Sequence, residues 1–126
     1  MRKVKGLLVI VLSLLLVYTA PAFTALAESE NYSAFYNGYR YDCYGHLGST
    51  TLTVEMDYLN PSKVLSIDST VTYSYDGETH QFPVFVSQKA NLSYSTPPEH
   101  LDYLISMDSD FQISMHTVYS MLLYAN

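Results

Sequence analysis

The sequence predicts an all-β protein: a small antiparallel β-sandwich or barrel of hairpins, with about five to seven strands. Two observations support this prediction. Short runs alternate between apolar and polar residues with a period of two, as strands with one buried face do. Two dipeptides typical of hairpin turns, Gly48-Ser49 and Asp76-Gly77, each lie between two such runs.

The first hairpin is predicted over residues 39–58. Gly48 at the first position of a two-residue loop is typical of a type II′ turn. Counting outward from that loop pairs Cys43 with Val54 and puts the apolar and aromatic side chains of both strands on one face. We therefore expect that face to be core and the opposite face to lie in solvent.

The solvent face of this hairpin supplies the candidate binding residues. In the expected register Arg40 faces Asp57 and Asp42 faces Glu55, with Tyr44 next along the strand. Carboxylates that face each other repel, so this pair calls for a cation or a basic neighbour. A solvated cluster balanced by Arg40 is the simpler interpretation, and a calcium site is the alternative.

The second hairpin follows from Asp76-Gly77, a type I′ signal. Its register pairs Ile67 with Val86 and again places the apolar halves of two strands on one face. Pro83 falls on the opposite face. Because proline cannot donate to a β-ladder, we expect this strand to be an edge strand or to bulge there.

The remaining segments complete the predicted organisation. Residues 28–38 are expected to form an N-terminal arm or a short strand, and residues 39–126 a single β domain. A further strand is predicted over residues 89–96. The C-terminal part is expected to form two strands joined near residues 108–110. A helix is the alternative, because four apolar residues there have helical spacing: Phe111, Met115, Val118 and Leu122.

Residues 1–27 have the three parts of a signal peptide. A basic start with Arg2, Lys3 and Lys5 precedes an apolar run over residues 6–17, and Ala25-Leu26-Ala27 matches the small-residue cleavage pattern. The segment resembles a bacterial Sec signal, with the basic start common in Gram-positive secreted proteins. It predicts cleavage after Ala27, secretion, and a mature chain without a membrane span.

The charge of the predicted mature chain argues against some partners. It keeps three basic residues, Arg40, Lys63 and Lys89, against twelve acidic ones, a net charge of −9 compared with −6 for the whole chain. Phosphate binding needs clustered Lys and Arg. Nucleic acid and anionic membranes are therefore not expected as partners.

The chain has one cysteine, Cys43, so an intrachain disulfide is not expected. The register places it inward as a buried, inert thiol. No two histidines have the spacing of metal ligands, and the nucleophile motif G-x-S-x-G is missing. We therefore predict no catalytic residue, no metal site and no cofactor.

These observations favour a secreted, non-enzymatic binding or interaction module at or outside the bacterial cell surface. A cell-wall glycan and a secreted protein are the partners considered. The alternative is a small secreted toxin, a bacteriocin-like protein or a hydrolytic protein that uses a histidine and a carboxylate. His100 with Asp102 or Glu99 is the example that the sequence offers.

Overall fold

The computed structural model describes residues 28–125 as eight antiparallel strands in two four-stranded sheets. The strands are β1 (Glu28–Tyr36), β2 (Tyr39–Leu47), β3 (Leu52–Tyr58), β4 (Val64–Tyr75), β5 (Glu78–Lys89), β6 (Asn91–Tyr94), β7 (Tyr103–Ile113) and β8 (His116–Tyr124). The all-β prediction is confirmed, but the number of strands exceeds the five to seven expected. The predicted signal peptide lies outside the described residues.

The two sheets are built from successive hairpins. The first sheet has the order β1-β2-β3-β6, and the second sheet has the order β5-β4-β7-β8. The chain crosses to the second sheet after β3, returns for β6, and crosses again to β7. The sheets are stacked with their apolar faces together, so the fold is a sandwich.

The core lies between the two sheets. Leu47 and Val54 from the first sheet, and Leu65, Phe111 and Ile113 from the second, are fully buried. Buried and accessible residues alternate along β2 and β3, as the sequence pattern predicts. No helix within residues 28–125 is long and apolar enough to cross a membrane.

The second hairpin has the predicted register throughout. Asp76 and Gly77 both have positive φ angles, 54° and 79°, as a type I′ turn requires. Ile67 pairs with Val86 as expected. β5 is an edge strand of its sheet. Proline has no N–H to donate, and Pro83 is tolerated because the free side of β5 has no neighbouring strand to bond.

The first hairpin has the predicted faces but not the predicted register. Its loop has four residues, closed by a 2.8 Å hydrogen bond from the N–H of Gly48 to the carbonyl of Thr51. Gly48 is not among the residues with positive φ, so the predicted type II′ turn is wrong. The longer loop shifts the pairing by two residues: Cys43 faces Met56 rather than Val54. A shift of two leaves every side chain on its original face.

The same shift corrects the pairs predicted on the solvent face. Asp42 faces Asp57, and Tyr44 faces Glu55. The predicted pairs of Arg40 with Asp57 and of Asp42 with Glu55 are therefore wrong. Arg40 instead pairs with Phe35 of β1.

The C-terminal part forms two strands, so the helical alternative is wrong. The strands are joined at Ser114-Met115 rather than near residues 108–110. Both turn residues have positive φ, 50° and 67°, a conformation that Gly or Asn usually supplies. The turn therefore has no signal in the sequence.

Gly45 is where the two sheets approach each other most closely among the described glycines. A Cβ atom at this position would overlap the sulfur of Met121 and lie 3.0 Å from a methyl group of Leu123, both from β8. The packing of the opposite sheet therefore requires glycine at this position of β2.

Strand β1 differs from the other strands because none of its residues is buried; all are exposed or half-buried. Its inward side chains include two acids, and these bond to β8 across the edge of the sandwich. The Glu30 carboxylate accepts a hydrogen bond from the Tyr119 hydroxyl, and Glu28 accepts one of 2.6 Å from the N–H of Tyr124. The rings of Tyr32 and Tyr119 stack with centroids 3.9 Å apart. A polar and aromatic seam thus joins β1 to the second sheet.

Candidate binding groove

The five predicted binding residues lie together on the outer face of the first sheet. They occupy alternate positions of β2 and β3, which send side chains to the same side of the sheet. Cross-strand pairing aligns four of them in two rows that extend to both neighbouring strands. One row is Asn31, Tyr44, Glu55 and Ser93, and the next is Ser33, Asp42, Asp57 and Asn91.

These side chains line an open groove with a volume of about 510 Å³. All five predicted residues contribute to it, and β1 adds Asn31 and Ser33. The predicted cluster is therefore one continuous surface rather than five scattered positions. We call this surface the groove below.

Hydrogen bonds order the β1 side of the groove. The Arg40 guanidinium lies 3.1 Å from a carboxylate oxygen of Asp42 and donates a 3.3 Å hydrogen bond to the Ser33 hydroxyl. The Ser33 hydroxyl in turn donates to the same Asp42 oxygen. About half of each charged side chain is exposed, so the contact adds little to stability. Its effect is to fix the direction of these groups at the groove wall.

The middle of the groove is acidic. Asp42 and Asp57 face each other directly, and Glu55 lies on the same face one pair away. Arg40 is bonded to Asp42 on the side of β1, away from Asp57. The groove thus offers acceptors in its centre and donors along its β1 wall.

A second, smaller groove of about 360 Å³ continues from the first across β6. It shares Glu55 and Asp57 with the first groove and is completed by Gln88, Asn91 and Ser93. The Gln88 amide donates a 2.7 Å hydrogen bond to the carbonyl of Asn91, which fixes the chain where it passes from the second sheet to the first.

Sequence reasoning missed the contribution of β1 and β6 to this surface. Asn31 and Ser33 were in a segment predicted as an arm or a short strand, and Asn91 in a strand with no assigned neighbour. The first half of β1 carries no alternation that marks its outward face, because Glu28 and Glu30 on the inward side are polar as well. The pairing of β6 with β3 has no local signal either, because it joins strands that are separated by the whole second hairpin.

The histidine and carboxylate pair of the alternative hypothesis lies at another end of the sandwich. Asp102 accepts a 2.8 Å hydrogen bond from the N–H of Asp76. The His100 ring lies 5.6 Å from that of Tyr75, and Tyr75 is also close to the His80 ring. Neither of the two grooves is lined by a histidine.

Within residues 28–125, no three His, Cys, Asp or Glu side chains are placed to hold a metal ion. Cys43 is free and buried below the groove floor, as predicted. Burial, followed by the nearby Asp42 and Glu30, raises the pKa of its thiol to about 12, so the thiol stays protonated and unreactive at neutral pH.

Comparison with known proteins adds no relative. No protein-family model matches the chain, and no curated protein and no solved structure matches it either.

Proposed function

We propose that this protein is a secreted, non-enzymatic binding module that acts at or outside the bacterial cell surface, and that the groove on its first sheet is the binding site. One observation carries the proposal: five residues chosen from the sequence, together with Asn31 and Ser33, line a single groove. A concave surface with convergent polar groups is the usual form of a ligand site.

The chemistry of the groove fits a hydroxyl-rich ligand. Its wall offers hydrogen-bond donors through Arg40 and Asn31, and its centre offers acceptors through carboxylates. Tyr44 is half-buried and lies between Asn31 and Glu55 in its row, where it offers a ring face and a hydroxyl. Sugar rings present these same features, namely neighbouring hydroxyl groups and an apolar face.

The charge of the groove limits the kind of glycan. The groove has three carboxylates and one guanidinium, so we expect it to repel a polyanionic wall polymer. A neutral cell-wall glycan is therefore the ligand that we propose first. A secreted protein with a basic surface is the second partner that this charge favours.

Binding to insoluble wall material tests the proposal. The protein, expressed from its full sequence in a secreting bacterial host, is mixed with Gram-positive cell walls from which the anionic polymers have been removed, and the loss from solution is measured. Tyr44→Ala is expected to weaken binding at least about tenfold, since buried aromatic contacts dominate such sites.

The matched control is Tyr124→Ala, which removes an exposed tyrosine from the outer face of the second sheet. It is expected to bind like the unaltered protein. Equal losses in both variants, or no binding to any wall preparation, would contradict the glycan proposal. Binding that appears only with basic proteins would support the second partner.

Secretion is tested separately by the intact mass of the product. Cleavage after Ala27 leaves Glu28 as the first residue and removes no part of β1. We expect the medium to contain a chain of residues 28–126. A product that keeps residues 1–27 would show that the signal-peptide prediction is wrong.

A further inference from the structure

Three of the four sheet edges are protected against pairing with another strand. β5 has Pro83 in its middle, and β6 has only four residues. Side chains of the first sheet occupy the edge of β8. Glu28 accepts from the N–H of Tyr124, and the Tyr41 hydroxyl donates a 3.0 Å hydrogen bond to the carbonyl of Val118, the extra residue at the β7–β8 irregularity.

The fourth edge, β1, has neither the proline of β5 nor the short length of β6, and its two inward acids, Glu28 and Glu30, are bonded to β8. It has nine residues with no proline, lysine or arginine, and it pairs along its whole length with β2 on one side. No strand within residues 28–125 pairs with its other side. A long edge of this kind is a template for strand addition.

The turn into β2 determines which groups of β1 are free. Tyr36 and Tyr39 flank the two-residue turn Asn37-Gly38, which makes them a hydrogen-bonded pair. From there the direction of the backbone groups alternates. The N–H and C=O groups that point away from β2 belong to Ser29, Asn31, Ser33 and Phe35.

We propose that this edge pairs with β1 of a second copy of the chain, antiparallel and about a two-fold axis at Tyr32. In this register Glu28 faces Tyr36 of the second copy, and Glu30 faces Ala34 of the second copy. The acidic half of the strand thus meets the aromatic half, and no two like charges face each other. The strand is complementary to itself, as a two-fold interface requires.

The same register gives a hydrogen-bonding partner to the backbone groups of all four residues that point away from β2. Ser29 pairs with Phe35 of the second copy and Asn31 with Ser33 of the second copy, which are hydrogen-bonded pairs. Phe35, which is 72% exposed, lies opposite Ser29 of the second copy in this register. The two first sheets join into one continuous sheet of eight strands.

The pairing also brings two grooves side by side, because Asn31 and Ser33 line the groove of each copy. A ligand with repeated units could then contact both grooves at once, which raises its apparent affinity. The dimer itself does not depend on any ligand. Failure of the dimer test would therefore leave the proposed function unaffected, and failure of the binding test would leave the dimer proposal unaffected.

Sedimentation of the protein, expressed from its full sequence, over a range of concentrations tests the dimer. We expect a dimer that dissociates on dilution. Ser33→Pro removes an N–H that points away from β2 and should give a monomer, whereas Ser33→Ala keeps that N–H and should still dimerise. Circular dichroism and thermal melting show that both variants are folded. A monomer at every concentration in the unaltered protein would overturn the proposal.

Disulfide crosslinking tests the register. Tyr32 pairs with Cys43 within its own sheet, so the tests use a Cys43→Ala background. Tyr32→Cys places two thiols at a non-hydrogen-bonded pair, with a Cα separation of about 4.5 Å, which a disulfide can bridge. We expect a covalent dimer on oxidation. Ala34→Cys is the control and should not crosslink, because it faces Glu30 of the second copy. A dimer in which Ala34→Cys crosslinks and Tyr32→Cys does not would contradict pairing at Tyr32.

Discussion

The two sheets of this protein share one core but differ in what they contribute. The second sheet has three strands of eleven or twelve residues and supplies Leu65, Ile67, Phe111 and Ile113 to the core. The first sheet ends in a short β6 and in β1, which has no fully buried residue. It carries both grooves on its outer face. The second sheet thus has the longer strands and the first sheet carries the proposed binding surface, so we expect the second sheet to be the more stable of the two.

The largest effect is expected from a cavity in the second sheet. Phe111→Ala removes a side chain that is completely buried and should lower the free energy of unfolding by about 3–5 kcal/mol. Phe35→Ala, on the outer face of the first sheet, is the matched control. In dilute solution it should change stability by less than about 0.5 kcal/mol. Urea denaturation measures both, and equal losses would remove the contrast between the sheets.

A smaller effect is expected where the sheets touch. Gly45→Ala places a methyl group against Met121 and Leu123 and should cost about 1–3 kcal/mol of stability. Combining it with Met121→Ala makes room for the methyl group. The double variant should then lose less stability than the sum of the two single variants. Strict additivity would mean that Gly45 is not the point of closest approach.

Removal of a buried polar pair should have a comparable or smaller effect. The hydroxyls of Ser69 and Ser109 lie 2.7 Å apart within the second sheet, and both residues are buried. Ser69→Ala leaves the other hydroxyl without its partner and should cost about 1–3 kcal/mol. Changing both to Ala should cost less than twice that amount. A double variant as unstable as the sum would show that the two hydroxyls act independently.

The smallest effect near neutral pH concerns Cys43 under the groove. Burial raises its thiol pKa from 9.0 to about 12, so the folded state holds this proton more tightly than the unfolded state. The thiol's contribution is fully present below pH 9 and is lost as the pH rises towards 12. Cys43→Ala should therefore make the loss of stability with pH shallower in this window. An identical pH profile would show that the thiol is not protected.

A thiol reagent at pH 8 gives a second readout for this cysteine. The folded protein should react only as fast as it unfolds, while the urea-unfolded chain should react at once. Rapid labelling of the folded protein would mean that the floor of the groove opens to solvent.

The sequence predicted which face of each hairpin strand is buried more accurately than it predicted which residues pair across the strands. Alternation places Cys43 and Val54 inward whether the loop has two residues or four. The predicted faces are therefore correct although the predicted loop is wrong. The pairing itself depended on the turn type. Asp76-Gly77 specifies a type I′ turn through its chemistry, whereas Gly48 lies in a four-residue loop that the two-residue signal does not describe.

Two further features could not be read from local pattern. The turn at Ser114-Met115 is imposed by the pairing of β7 with β8, because neither residue favours positive φ. The inward face of β1 carries Glu28 and Glu30, which no core pattern predicts. Their partners, Tyr124 and Tyr119, are nearly the whole chain away in sequence.

The candidate site was predictable in part, because alternation along a strand assigns each residue to one face. Arg40, Asp42, Tyr44, Glu55 and Asp57 were assigned to the outer face by alternation, and the structure brings them into one groove. The contributions of β1 and β6 required the sheet order, which depends on long-range pairing. Whether the groove binds a ligand is tested by the wall-binding experiment with Tyr44→Ala.

Hydrogen exchange along the strands tests the contrast between the sheets most directly. Amides of β4 and β7, which are central in the second sheet, should exchange slowest, at the rate of global unfolding. In dilute protein, amides of β1 should exchange much faster, and those of Asn31 and Ser33 fastest because they point away from β2. Equal protection of β1 and β4 in dilute protein would contradict the expectation of a more stable second sheet and an open edge at β1.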